Sequence, residues 1–359
     1  VQPMVLVTSE SSAEGLARAV DGLQLQLAPT LLLVPDGQRG PRSLESEGVV
    51  IAPWSTPPSV LAAMLFALSR RQKTVQRIAV DLRISRRVQG GINSEMQRLQ
   101  EELATAADVQ KEFLPHALPK IDGLEFGVVF RPVGYVSGDM YDLFQLDERT
   151  VAFFIADVVG HGVPAALLTV ALCRGLQTME RAGEVWKPRR PSDVLSKLND
   201  DLVARQLSGQ RFATGIYGII DQVTGEITIS CAGHPPPMIL TPTGCREIDT
   251  SGPLLGVFED AEFDEVTCRL AAGESLVLYT DGVETAFPSA AGFRRPSLIY
   301  REIFSRIGIE AFSRDMTVAS TMTDLAEELD RQTGSLHGVD DITVLAISRP
   351  AEIAARAAA

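Results

Sequence analysis

Apolar side chains recur along one stretch of this chain at alternating spacings of three and four, without a slip. Val75, Ile78, Leu82, Ser85, Gln89, Ile92, Met96, Leu99, Leu103, Ala106, Gln110 and Phe113 all fall on one helical stripe. All but Ser85, Gln89 and Gln110 are apolar. A stripe of that period is too apolar to leave in water and too narrow for a globular core, so it predicts a two-stranded coiled coil that makes a parallel homodimer. The expected linker helix covers residues 71–118; extrapolated backwards, the same phase picks up Leu61, Met64 and Leu68, though Arg71 interrupts it. Gly90-Gly91 weaken the helix by about 1 kcal/mol each. They lie beside Ser85 and Gln89, which marks the middle of the seam as a place where helix pairing can switch. Arg70, Arg71, Lys73, Arg77, Arg83, Arg86, Arg87 and Arg98 read as a solvated face, and Pro115 and Pro119 end the segment.

The seam divides the chain. Before it, residues 1–70 alternate short apolar runs with helical patterns. Met4-Val5-Leu6-Val7, Leu31-Leu32-Leu33-Val34 and Val49-Val50-Ile51-Ala52 read as strands, Ser11 to Val20 as a helix, and a further helix starts near Ser59. That order predicts a small parallel α/β layer with a resemblance to a response-regulator receiver domain. It is a degenerate one, because Thr8-Ser9-Glu10 stand where a receiver carries its acids. Asp36 is therefore expected to be a turn residue rather than a phosphate acceptor.

Composition limits what the rest can be. The chain has 359 residues, 45% of them hydrophobic and 22% charged, with a formal charge of -13. That mix supports a globular protein of two or three domains. The acidic balance argues against nucleic acid as a partner. The longest uncharged apolar run, Val163 to Cys173, is about half of the roughly 20 residues a membrane span needs. Cys173, Cys231, Cys245 and Cys268 show neither zinc nor disulfide spacing, so a cytoplasmic protein with reduced thiols is expected.

Residues 119–350 carry strands joined by hairpins, followed by a flexible tail over 351–359. Phe212 to Asp221 and Glu226 to Ala232 flank the turn Val223-Thr224-Gly225. Helical periodicity covers Val163 to Arg181, Ser192 to Leu207, Ser297 to Ile307 and Thr317 to Gln332. Tyr135 to Leu146 and Val151 to Ala156 form a hairpin whose register, taken from Leu146 opposite Val151, sets Asp139 across from Val158 and one residue from Asp157. Like charges on neighbouring strands are destabilising unless neutralised. Oxygen-only ligands favour Mg²⁺ or Mn²⁺ for that task. Asp281 at the end of Ser275 to Thr280, and Asp340-Asp341 before Ile342 to Leu345, repeat the pattern of an aspartate at the edge of an apolar strand.

Five motifs in order carry a family resemblance: Ser137-Gly138-Asp139-Met140-Tyr141-Asp142, Ala156-Asp157-Val158-Val159-Gly160-His161-Gly162, Ala232-Gly233-His234-Pro235-Pro236-Pro237, Tyr279-Thr280-Asp281-Gly282-Val283-Glu284 and Asp340-Asp341-Ile342-Thr343-Val344. Val109 to Pro115 is similar to the family's entry helix. Together they resemble the SpoIIE/RsbU type of the metal-dependent protein phosphatase (PPM) superfamily.

That resemblance implies an α+β fold, an α-β-β-α sandwich behind the coiled coil and the small receiver-like domain. It implies a dinuclear centre of Mn²⁺ or Mg²⁺ held by Asp139, Asp157, Asp281, Asp340 and the carbonyl of Val158. Gly138, Gly160, His161, Gly282 and Asp341 would stand around those ligands. His161 is offset from the histidine of eukaryotic relatives and is expected to be structural. Arg131 is the nearest candidate for a phosphate-gripping arginine. The reaction implied is hydrolysis of phosphoserine or phosphothreonine by a metal-activated water, on a phosphorylated anti-anti-sigma (STAS) protein in a partner-switching pathway. The rival reading is a pseudophosphatase adaptor, which four clustered aspartates argue against. Hydrolysis of a small phosphorylated molecule is disfavoured because no Gly-rich phosphate loop appears.

Overall fold

The computed structural model describes residues 4–7, 18, 21–23, 27–37, 49–204, 211–286, 304–306, 316–333 and 340–351. Thr8-Ser9-Glu10, His337, and most of the expected helices Ser11 to Val20 and Ser297 to Ile307 and of the tail lie outside those residues. The chain forms two compact units, Val1–Leu99 and Gln100–Ala359.

In the first unit three parallel strands, β1 (Met4–Val7), β2 (Thr30–Val34) and β3 (Val49–Pro53), pair in the order β1-β2-β3. The parallel layer matches expectation. The order departs from the opening of a receiver, where the first strand lies between the second and third; here β2 is central. Pro57-Pro58 then start a helix, α1 (Pro58–Lys111), as proline does well in a first turn. Leu61, Met64, Leu65 and Leu68 on α1 pack against Leu31 and Ala52. The backward extension of the coiled-coil seam is thus corrected: Leu61, Met64 and Leu68 cover the sheet.

Beyond them α1 runs on unbroken through Gly90-Gly91. Ile78, Leu82, Ile92, Met96 and Leu99 are all about half exposed. So are Val80, Ile84 and Val88, a second apolar stripe with i, i+4 spacing that meets the first at Ile92. It runs past the polar seam positions Ser85 and Gln89 and was not anticipated.

In the second unit two five-stranded antiparallel sheets face each other. One has the order β13-β10-β9-β6-β5, from β5 (Asp139–Gln145), β6 (Thr150–Val158), β9 (Ala213–Asp221), β10 (Glu226–Ala232) and β13 (Glu265–Arg269). The other has the order β12-β11-β14-β15-β4, from β4 (Glu125–Arg131), β11 (Met238–Thr241), β12 (Gly244–Glu247), β14 (Ser275–Tyr279) and β15 (Ile342–Ser348). Phe153, Ile155, Ile216, Ile229, Leu276 and Leu345 fill the space between them. Helices α2 (Val163–Gly175) and α3 (Pro191–Ala204) supply Leu172, Val194 and Leu198 to the outer core of the first sheet. Helix α4 (Val318–Thr333) supplies Met322 and Leu325 to that of the second. The layers are helix, sheet, sheet, helix.

β6 reads Val-Ala-Phe-Phe-Ile-Ala rather than alternating because it is covered on both faces, and Val151 to Ala156 are fully buried. Burying each large side chain contributes about 1.5–3 kcal/mol.

Two boundaries differ from expectation. The helix expected to reach Arg181 stops at Gly175, and a ribbon of β7 (Met179–Ala182) and β8 (Val185–Pro188) follows, turned by Gly183 at φ 70°. The strand expected from Tyr135 starts at Asp139.

Candidate active site

The hairpin of β5 and β6 pairs Gln145 with Val151, one residue from the expected register, so Asp139 stands directly opposite Asp157. The expected match of Asp139 with Val158 is therefore corrected. The shift arises in the turn, where Leu146 N–H donates to the Thr150 carbonyl and the Asp147 carboxylate takes the Arg149 and Thr150 N–H groups. Asp157 is also opposite Thr214 on β9.

Asp139 is 1% exposed. Its Oδ2 accepts hydrogen bonds from Thr280 Oγ1 and Thr343 Oγ1, each at 2.7 Å, while its Oδ1 is buried without a partner. Thr280 precedes Asp281, and Thr343 lies two residues after Asp341, so β14 and β15 of one sheet grip the carboxylate of the other. Neither threonine was singled out in the sequence, although both are polar among apolar strand residues.

Asp281 and Asp340 complete the group. Gly282 follows Asp281 because a Cβ there would collide with the Asp341 carbonyl. Asp341 ties the site to the loop before β5. Its Oδ1 accepts the Val133 N–H at 2.7 Å and its Oδ2 the Gly138 N–H at 2.6 Å. Gly138 packs against the carbonyls of Val158 and Gly160 and accepts the Val158 N–H at 3.0 Å. Gly160 and Gly162 adopt φ of 93° and 78°, so the loop bearing His161 needs both glycines. His161 is exposed on the wall of the cleft.

From the other side comes Gln110 of α1. Its Nε2 donates to the Ser137 carbonyl at 2.7 Å and to Thr169 Oγ1 at 2.9 Å, and its Oε1 accepts the Ser137 N–H at 2.9 Å. The seam predicted its burial but not these bonds. His234 is buried, with Nδ1 2.8 Å from Thr214 Oγ1, and burial pushes it down to about 3, so it is neutral. That bond ties the loop after β10 to β9.

The electrostatics are those of acids held too close. Burial, then the charges of Asp139, Asp281 and Asp340, push Asp157 up. Burial, with Asp341 and Asp340, does the same to Asp139 against the pull of Thr343 and Thr280. Burial and Asp340 raise Asp281. Among the described residues no three His, Cys, Asp or Glu side chains are drawn into ready-made ligating geometry. Asp157 instead lies within electrostatic reach of Asp139, Asp281 and Asp340, whose charges raise it. The donor set is nonetheless what a hard divalent cation takes: carboxylate oxygens, one of them buried and unpartnered.

Arg131, the candidate phosphate grip, makes a two-pronged bond to Asp330 of α4, at 2.5 and 3.0 Å. It is committed elsewhere.

A two-sheet sandwich with acids converging on it from both sheets is the fold of the PPM, or PP2C-type, phosphatases. Within that class the chain belongs to the SpoIIE family: residues 147–350 match the family described as Stage II sporulation protein E (SpoIIE). The match begins after Asp139. The chain is 29% identical over 292 residues to Protein IcfG of Synechocystis sp., covering 74% of this chain and 43% of that one. It is 28% identical over 204 residues to Phosphoserine phosphatase RsbU of Bacillus subtilis, covering 56% and 59%. It thus spans about half the length of these curated relatives. In fold it is similar to the SiaA-PP2C domain of Pseudomonas aeruginosa, with a TM-score of 0.59 and 18% identity over 70% of this chain and 98% of that one. Among the described residues no helix is long and apolar enough to cross a membrane.

Proposed function

We propose that this chain is a Mn²⁺- or Mg²⁺-dependent phosphatase that hydrolyses phosphoserine or phosphothreonine on a partner protein. The observation that carries the reading is the Asp139–Asp157 pair, set face to face across two strands with an unpartnered buried oxygen on Asp139. Two carboxylates held that close are costly unless a cation stands with them. Asp139, Asp157, Asp281, Asp340 and the Val158 carbonyl would hold two such cations, which when bound supply an activated water and balance the charge of the phosphoryl group.

The chain's own residues fix the geometry. Thr280 and Thr343 set the rotamer of Asp139. Asp341 and Gln110 hold the peptides of Gly138 and Ser137 from opposite sides. Gly282 lets the turn after Asp281 lie against the Asp341 carbonyl. Similarity to RsbU supports a phosphoserine substrate, and the family resemblance points to a phosphorylated STAS protein in a partner-switching pathway. We assign residues 1–70 to a regulatory α/β domain, 71–118 to the coiled-coil linker of a homodimer, 119–350 to the phosphatase domain and 351–359 to a tail. A cytoplasmic location fits a substrate of that kind.

The test is incubation of a candidate phospho-STAS protein with the full chain and Mn²⁺, with phosphate release read by mass. Loss of one phosphate, abolished by EDTA and by Asp157→Asn, is expected. Phosphate release that persists in EDTA would reject the metal mechanism, and none with Mn²⁺ on any phosphoserine protein would favour the adaptor reading.

A further inference from the structure

The cleft above the carboxylates has a volume of about 660 Å³, and no lysine or arginine is among its described lining residues. Its wall is apolar instead. Val133, Tyr135 and Val159 stand around the opening 47%, 47% and 45% exposed, beside the half-buried Phe212.

This rim is held in place. The Val133 N–H is fixed on Asp341, Val136 is buried beneath the same loop at 3% exposure, and the Val159 N–H donates to the Phe212 carbonyl at 3.1 Å. Arg131, two residues before Val133, is turned onto Asp330. Large apolar side chains held rigid and exposed together mark a surface for a partner.

We propose that this rim reads the residues beside the phosphorylated side chain. The occupant is a segment of a protein whose phosphoserine or phosphothreonine is bordered by apolar, uncharged side chains. The inference rests on the phosphatase reading and deepens it.

The charges argue for that occupant. A phosphate dianion normally finds an arginine fork or a lysine; the described lining residues offer neither, and cations held by the carboxylates would answer it. Those same cations offset the aspartates, so a basic flank has little left to pair with. An acidic flank meets aspartates and no lysine or arginine among the described lining residues. An apolar flank loses water against Val133, Tyr135 and Val159 and gains on binding. A small phosphate ester places nothing on the rim and is not selected by it.

The test compares phosphoserine peptides that differ only in their flanking residues: Leu and Val, Lys and Arg, or Asp and Glu. p-Nitrophenyl phosphate serves as a rimless substrate, all with the full chain and Mn²⁺. We expect kcat/KM for the apolar peptide at least about 10-fold above both charged ones. Tyr135→Ser combined with Val159→Ser should raise KM for the apolar peptide about 10-fold with kcat retained, level the three peptides, and leave KM for p-nitrophenyl phosphate where it was. Turnover of p-nitrophenyl phosphate with equal rates on the three peptides, or a basic preference that survives in the double variant, overturns this proposal alone. No turnover of any of these substrates with Mn²⁺ takes down the phosphatase reading and the proposal with it.

Discussion

Gln110 holds the Ser137 peptide by both ends, accepting its N–H at 2.9 Å and donating to its carbonyl at 2.7 Å. The residue lies one position from the end of α1, and Ser137 lies two positions before Asp139. A change at the end of the helix therefore reaches the first aspartate through one side chain.

Gln110→Ala should leave the buried Ser137 peptide without partners, at a cost of about 1–3 kcal/mol for each unsatisfied group. A lower melting temperature and reduced turnover are expected. Gln110→Glu keeps the acceptor and loses the donor, and should fall between the two. Unchanged rates in Gln110→Ala would show that the helix end does not support the site.

The acids predict how metal-free stability depends on pH. In the folded state Asp139 and Asp157 are raised to about 7 and about 9 from 3.8. The folded chain then keeps protons that the unfolded chain has lost, so stability falls as pH rises from about 4 through those values. In EDTA the melting temperature should drop between pH 5 and pH 9, and Asp157→Asn should flatten the drop while abolishing activity. Mn²⁺ should raise the melting temperature more at pH 8 than at pH 5, because its ligands must first lose protons. A metal-free melting temperature that rises with pH over this range would contradict the burial of these acids.

The exposed stripe of α1 predicts self-association. Ile92→Asp with Met96→Asp places charge on two seam positions that are about half exposed in the single chain. Wild type should sediment as a dimer at micromolar concentration and the variant as a monomer. A monomeric wild type would remove the coiled coil.

Asp36 should not accept phosphate. Its Oδ1 takes the Ser55 N–H at 2.9 Å, and the Ser55 hydroxyl, then that N–H, hold its carboxyl below the usual range. Acetyl phosphate with Mg²⁺ should leave the chain's mass unchanged; a gain of one phosphate that Asp36→Ala removes would show otherwise.

The sequence made the site's acids visible because each sits where an apolar strand stops, and glycines such as Gly138 and Gly282 mark the close approaches between them. It made the sandwich visible through the same strands. The exact pairing of Asp139 was hidden, since a turn of Leu146 to Arg149 can close in more than one way and only its Asp147 bonds decide. Thr280 and Thr343 were hidden because a threonine in a strand is ordinary until a partner sheet is placed over it. Leu61, Met64 and Leu68 were misread because a helix that packs on a sheet and one that packs on another helix share the same short-range spacing. Gln110 was legible in part: a polar residue in an apolar seam that ends at a domain calls for a bonding partner.

The two threonine hydroxyls on Asp139 occupy one carboxylate oxygen and leave the other bare. Oδ1 is thus the oxygen that Asp139 would offer a cation, Oδ2 being taken by the two hydroxyls. Calcium prefers six to eight oxygens and often takes both from one carboxylate, whereas magnesium demands a tight octahedron built from single contacts and water. A pair of hydroxyls that never touches an ion would thus favour the smaller one, through denticity rather than charge.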